Sequence, residues 1–453
     1  MKTKIIKKIL ASLLIAATIA TVSGGVGAIP PHPKKYAQEL YKQVDEDWAN
    51  SCKTDEAKKV WQQKYSKDNV TKILNDLSEC ASDPEARKEV TDVLRRMINF
   101  ELLDCLEPNE IVTAIKTLFV CQEDERAEYW SVSAISDIVK KDFMKKLSSE
   151  QIFQIIDISQ KYNKASWIIE LMADEDSFKN FNKQQVLDLL NIAKKEFSDD
   201  FRVMKVVKCV VREGSFSKLS PEQIFDVIKV FFKGVYSDDW GNNLKSFAQT
   251  IELMAEKHLL KGLSSAQISD ITKALHVCAS HTINDEVEAE LRKHGRFSNL
   301  SYLNAKSYGF SKGDAARSSV QKAIGFMIND GLFDGSKPDQ IIDVLAVLKS
   351  CLICEIYGAK SNIDIAENIQ YMAKRGLFGA LEEKGFWLIF YILDTVANTR
   401  FEGTFSSIDH YYVTLALNSI LESKPACLTP EIQSQYQSLL AKCKDGYDKH
   451  CKF

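Results

Sequence analysis

The sequence predicts an all-α protein, and three observations lead to that prediction. Glycine and proline number only 19 and 9 in 453 residues, fewer than a β-sandwich, a barrel or a Gly-rich nucleotide-binding sheet needs for its turns. Hydrophobic residues make up 45% and charged residues 27% of the chain, which excludes general disorder. A helix-start signal recurs at intervals of 34 to 45 residues. We expect a right-handed α-solenoid of about seven to eight stacked helical hairpins with helical end caps.

Residues 1–28 have the three parts of a secretory signal peptide. Four lysines precede an apolar segment over 9–22, and Ala28 ends a small-residue cleavage site. The apolar segment is shorter than the ~20 residues of a membrane span, so we expect cleavage rather than an uncleaved anchor. Loss of the four lysines would lower the net charge from −3 to −7, which argues against bulk capture of nucleic acid or anionic lipid. We therefore expect a secreted or periplasmic protein without a membrane span.

The cysteines give a second indication of compartment. All 11 follow the predicted cleavage site, and an oxidising compartment would pair many of them. They concentrate toward the two ends of the chain, where a terminal repeat lacks one neighbour and a disulfide would hold the cap in place. The odd total leaves at least one thiol free or paired between chains, and the connectivity stays open. The disulfide candidates are Cys52, Cys80, Cys427, Cys443 and Cys451.

A seven-residue pattern marks the start of the first helix, helix A, in each predicted pair. Its clearest copies begin at Leu147, Phe181, Leu219 and Leu263, and fainter copies begin at Leu106 and Lys337. Each copy carries a Gln, or Glu110 in the first copy, three residues after a predicted N-cap. We interpret this as a capping box, in which the third side chain of the helix binds the N-cap amide, rather than as a row of ligand-binding side chains.

A second pattern precedes these starts and indicates a second helix, helix B. It is an apolar segment that ends in a glycine, with apolar residues packing back over the helix end. Four methionines recur in it, and we expect them to fill the core rather than to bind a metal or cofactor. They are Met172, Met254, Met327 and Met372. The predicted boundaries fall near Leu106, Leu147, Phe181, Leu219, Leu263, Leu300, Ser336 and Leu381.

These boundaries divide the chain into four parts. The signal peptide over 1–28 is followed by an N-terminal helical entry or cap over 29–105, by the hairpin repeats over 106–381, and by a C-terminal hairpin with a capping helix over 382–453. The paired-helix pattern resembles the broad superfamily of HEAT, armadillo and octotricopeptide helical repeats. Its motifs are generic to helix pairs, so the resemblance implies a curved scaffold that binds along its surface and carries over no site residue.

The sequence contains no catalytic motif that we can identify. It lacks a Walker loop, a Gly-x-Ser-x-Gly elbow, a His-Glu-x-x-His pair and an EF-hand loop. Cys351 and Cys354 have the Cys-x-x-Cys spacing of a redox-active pair. They lie late in a predicted helix, however, away from the helix N-terminus whose dipole lowers a thiol pKa. His276, Cys278 and His281 do not share one helix face, so four tetrahedral zinc ligands are not expected there. We expect no enzymatic activity, no cofactor and no metal.

The loops between helices A and B carry the best candidate binding residues. In stacked hairpins these loops emerge on one edge, which here is called the A–B loop edge, and insertions there often mark the binding face. Tyrosine and tryptophan are favoured binding residues, although these rings could instead cover helix ends. The candidates are Tyr236, Asp238, Asp239, Trp240, Tyr308, Phe310, Phe401, Phe405 and Tyr411.

The sequence thus favours an exported, non-catalytic scaffold that binds another macromolecule, with a protein as the expected partner. One alternative is an octotricopeptide-like RNA-binding repeat protein, against which the acidic balance and the signal peptide both count. Another is a secreted α/α-toroid glycoside hydrolase, a class that uses acid pairs. Asp199–Asp200 and Asp238–Asp239 are the possible pairs, although adjacent carboxylates on a loop more often form turns and helix caps. That class usually has long Gly-rich loops, and this chain has few glycines.

Overall fold

The computed structural model describes residues 32–197, 200–235, 241–280, 311–352, 359–398, 407–423, 425 and 427–450. Over these residues the protein is all-α, with 19 α-helices, three short 3-10 helices and no strand. None of the helices in this described part is both long enough and apolar enough to cross a membrane. The predicted signal peptide lies outside the described residues. The chain divides into two compact units, Met1–Asn180 and Phe181–Phe453.

The first unit contains eight α-helices among its described residues. They are α1 (Pro33–Ser51), α2 (Asp55–Lys64), α3 (Lys67–Cys80), α4 (Arg87–Asn99), α5 (Pro108–Cys121), α6 (Glu125–Lys140), α7 (Ser149–Lys161) and α8 (Ala165–Asp174). Short 3-10 helices, Leu102–Cys105 and Asp142–Lys146, follow α4 and α6.

The second unit contains the other eleven described α-helices. They are α9 (Lys183–Glu196), α10 (Asp200–Arg212), α11 (Pro221–Val235), α12 (Gly241–Glu256), α13 (Ser265–Ser280), α14 (Ser311–Asn329), α15 (Pro338–Ser350), α16 (Ala359–Lys374), α17 (Glu383–Asn398), α18 (Ser407–Ser423) and α19 (Pro430–His450). A 3-10 helix, Ser215–Lys218, follows α10.

Within each unit, helices pack against the helix two places further along the chain. In the first unit α4, α6 and α8 contact one another in succession, and α3, α5 and α7 form a second series. In the second unit the even-numbered helices from α10 to α18 form one series, and the odd-numbered helices from α11 to α19 form another. Each unit therefore contains two interleaved series of helices among its described residues.

The predicted capping boxes are present at all six helix starts. In each, the side chain of the third helical residue accepts a hydrogen bond from the N-cap amide, which satisfies one of the N–H groups that a helix start leaves unpaired. The N-cap and accepting residues are Glu107 and Glu110 (2.7 Å), Ser148 and Gln151 (2.8 Å), Asn182 and Gln185 (2.9 Å), Ser220 and Gln223 (3.0 Å), Ser264 and Gln267 (2.8 Å), and Lys337 and Gln340 (2.9 Å).

The predicted glycine corners and methionine core are also confirmed. Gly214, Gly331 and Gly376 end their helices with φ values of 81°, 76° and 70°, a left-handed conformation that glycine adopts without steric cost. Glu101 and His258 take the same conformation at two other corners, with φ values of 60° and 58°. The four methionines named in the sequence analysis have no exposed surface, so they pack as core residues.

No disulfide joins any of the nine described cysteines. Among the disulfide candidates, Cys52 and Cys427 are exposed, whereas Cys80 and Cys443 are buried. Burial raises the pKa of Cys80 to about 12 and that of Cys443 to about 11. Cys451 lies outside the described residues, and the disulfides at the chain ends stay a prediction.

Candidate functional site

The predicted binding residues on the A–B loop edge fall almost entirely outside the described residues. Only Tyr411 is described, near the start of α18, where 43% of it is exposed. Its ring lies edge-on to Tyr412, with 5.3 Å between the ring centroids. The other eight are Tyr236, Asp238, Asp239, Trp240, Tyr308, Phe310, Phe401 and Phe405. These eight lie outside the described residues, so the candidate set stays a prediction.

Of the possible redox and zinc ligands considered in the sequence, the described ones lie within packed helices. Cys351 follows α15 directly and is fully buried, which raises its thiol pKa to about 12. Cys278 is also fully buried on α13. Nε2 of His276 lies 3.0 Å from Oγ of Ser350, so this histidine links α13 to α15. Cys354 and His281 lie outside the described part of the chain.

The first unit contains an open cavity that the sequence analysis did not single out. Its volume is about 860 Å³, within the ~300–1,000 Å³ range of ligand clefts. It lies where α1 ends, α2 begins and the 3-10 helix after α4 starts. We call it the aromatic cavity because four aromatic side chains line it: Trp48, Trp61, Tyr65 and Phe100.

The four rings pack on one another and form a continuous wall. The Trp48 ring stacks on Phe100, with centroids 4.6 Å apart and planes within 12°. Trp61 lies edge-on to Trp48 at 5.3 Å and touches the Tyr65 ring at 4.2 Å. Trp61 and Tyr65 are buried, whereas Trp48 and Phe100 are half-buried. Trp48 and Phe100 therefore supply most of the aromatic surface that faces the solvent.

Local hydrogen bonds hold α1 and α2 in the arrangement that builds this wall. The Thr54 side chain accepts a hydrogen bond from the Ala57 amide at 3.1 Å and so caps α2. The Tyr65 hydroxyl donates to Asp47 on α1 at 2.9 Å, and Lys64 lies 2.6 Å from the same carboxylate. Burial, together with Asp47, raises the pKa of Tyr65, so its hydroxyl stays a donor. The wall is thus fixed before any ligand arrives.

Exposed polar side chains surround the wall. Asp55, Lys58 and Gln62 lie on the cavity side of α2, and Glu101 and Asp104 lie in the corner after α4. All five are exposed, and none of their side chains makes a hydrogen bond or ion pair with the described residues. Carboxylate acceptors, an amide and an ammonium donor are therefore all free to bind a ligand at this rim.

One feature of the sequence points to this cavity. Trp48 and Trp61 stand 13 residues apart in the helical entry, outside the repeat pattern, and the chain has only six tryptophans. Phe100, which completes the wall, comes from a distant part of the sequence. Its contact with Trp48 depends on the packing of α1 against α4, which no local pattern specifies.

No family model matches the chain, and no curated protein matches it in sequence.

Proposed function

We propose that this chain is an exported, non-catalytic α-solenoid that binds a protein partner along its surface, with the A–B loop edge as the main contact. The α-solenoid consists of about seven to eight stacked helical hairpins. The observation that carries the proposal is the packing of helices on the helix two places further on, in two series within each unit. Stacked hairpins bury a continuous core in this manner and present long surfaces suited to macromolecular partners.

The capping boxes also support the stacking, because some of their side chains form a hydrogen bond to the preceding helix pair. Gln151 Nε2 donates to Oδ1 of Asn109 at 2.7 Å, linking the first turns of α7 and α5. Gln340 Nε2 donates to the Ser265 carbonyl at 3.0 Å and links α15 to α13 in the same way. In α5 the corresponding Glu110 accepts a hydrogen bond from Thr71 of α3 at 2.6 Å. One side chain thus caps its own helix and sets the register to the preceding pair.

Site-specific photo-crosslinking in the native host tests the partner proposal. A benzophenone amino acid replaces Tyr236, Tyr308 or Phe405 on the A–B loop edge, and Lys374, an exposed residue at the end of α16, serves as the control position. We expect one protein to be joined at two or more of the loop positions and not at Lys374. The same purified protein must then bind the unmodified chain in solution.

Two outcomes would overturn the proposal. One is the absence of a common adduct at the three loop positions. The other is an adduct that forms as readily at Lys374, because that result would mean non-specific contact.

A further inference from the structure

We propose that the aromatic cavity of the first unit is a binding site for a neutral oligosaccharide. This inference is independent of the protein partner proposed above, since the cavity is built by α1, α2 and the corner after α4 rather than by the A–B loop edge. Two features carry it: the wall of Trp48, Trp61, Tyr65 and Phe100, and the five rim side chains that have no partner among the described residues.

The aromatic wall matches the apolar face of a sugar ring. A pyranose presents a flat patch of C–H groups, which packs on the electron-rich face of an aromatic ring. Trp48 and Phe100 are half-buried and stack on one another, so each ring restricts the motion of the other while part of both stays accessible. A rigid wall binds without the entropic cost of ordering the side chains that form it.

The rim matches the hydroxyl groups of a sugar. Asp55, Glu101 and Asp104 accept hydrogen bonds, Lys58 donates them, and Gln62 does both. Adjacent hydroxyls on a sugar can each donate and accept, so a mixed rim of this kind satisfies them around the ring.

Other ligand classes fit less well. Three carboxylates at the rim disfavour an anion. A quaternary ammonium needs several ring faces turned toward one point, as in the aromatic cages that recognise such cations. Here the rings stack on one another or meet edge to face, so their faces do not surround a common centre. The volume of about 860 Å³ suits several linked sugar rings better than one.

Calorimetric titration of the purified full chain tests the proposal. The probes are neutral tetrasaccharides of glucose, mannose, galactose and N-acetylglucosamine, each tested separately. We expect at least one to bind with a Kd below about 1 mM and to be recovered uncleaved.

Two neighbouring glutamines provide a matched pair of variants. Gln62 and Gln63 are both exposed on α2, but only Gln62 lines the cavity. Gln62→Ala should weaken the binding at least fivefold, and Gln63→Ala should leave it unchanged. Trp48→Ala should abolish binding, with circular dichroism as the check that the first unit still folds.

Three results would overturn the proposal. The first is that no tetrasaccharide binds at 10 mM. The second is that Gln62→Ala and Gln63→Ala have the same affinity as the unchanged chain. The third is that a proline-rich peptide occupies the cavity while the sugars do not, because aromatic grooves also accept extended proline-rich segments. None of these results bears on the crosslinks at the A–B loop edge, so the two proposals can fail separately.

Discussion

The glutamine of the capping box has two roles in one side chain. Gln151 Oε1 accepts the Ser148 amide, and its Nε2 donates to Asn109 of the preceding pair. A glutamate could fill the first role, as Glu110 does, but it cannot donate to an amide oxygen. Gln151 and Gln340 therefore both use the amide group that a glutamate lacks.

Gln151→Met should lower the free energy of unfolding by about 1–2 kcal/mol, because two hydrogen bonds are lost while the apolar stem is kept. Gln154→Met is the control, since Gln154 is exposed on the same helix and has no side-chain hydrogen bond to the described residues. Urea unfolding followed by circular dichroism measures both. Equal stability of the two variants would contradict the double role of Gln151.

Features that depend on neighbouring residues could be predicted from the sequence, whereas features that depend on helix packing could not. Capping boxes, glycine corners and buried methionines were predicted because each depends on residues within one turn of a helix. The aromatic cavity was missed because Phe100 meets Trp48 only through the packing of α4 on α1. The loop residues proposed for partner binding follow from their position in the repeat and stay a prediction.

Between elements, α14 and α16 approach each other closely at Gly325. A Cβ atom on Gly325 would lie 2.7 Å from Oδ1 of Asn368, closer than real contacts allow. Asn368 is buried and donates through Nδ2 to the Gln321 carbonyl at 3.0 Å, so its side chain cannot move without losing that bond. Gly325 therefore permits a polar contact inside the helix pair.

Gly325→Ala tests this contact, because its expected effect on stability is opposite to the usual effect of replacing a helical glycine by alanine. In a helix interior alanine usually adds about 0.5–1 kcal/mol of stability over glycine. Here we expect a loss of about 1–3 kcal/mol from overpacking against Asn368. In the background of Asn368→Ala, the same substitution should be neutral or stabilising. Thermal or urea unfolding of the two single variants and the double variant gives the coupling. Stabilisation by Gly325→Ala alone would contradict the close contact.

At the scale of the whole molecule, buried thiols link stability to alkaline pH. The pKa of Cys121 is raised to about 12, as are those of Cys80 and Cys351, because burial disfavours the thiolate. An unfolded thiol has a pKa near 9, so above that pH the unfolded chain binds fewer protons than the folded chain. Stability is therefore complete below pH 9 and falls as the pH rises toward 12.

The expected slope is up to about 1.4 kcal/mol per pH unit for each buried thiol. Urea midpoints of the reduced protein between pH 8 and pH 10.5 measure it, and Cys121→Ala should show a shallower decline than the unchanged chain. A midpoint that stays constant up to pH 10.5 would contradict the burial of these thiols.

Export is the claim on which the choice of partner depends most. The most direct measurement is the intact mass of the protein from its native source, after free thiols are alkylated without reduction. We expect a chain that begins near Ile29, and the number of alkyl groups then counts the thiols left unpaired by any disulfides at the chain ends. A chain that still carries residues 1–28, with all 11 cysteines alkylated, would contradict export and direct the search to partners inside the cell.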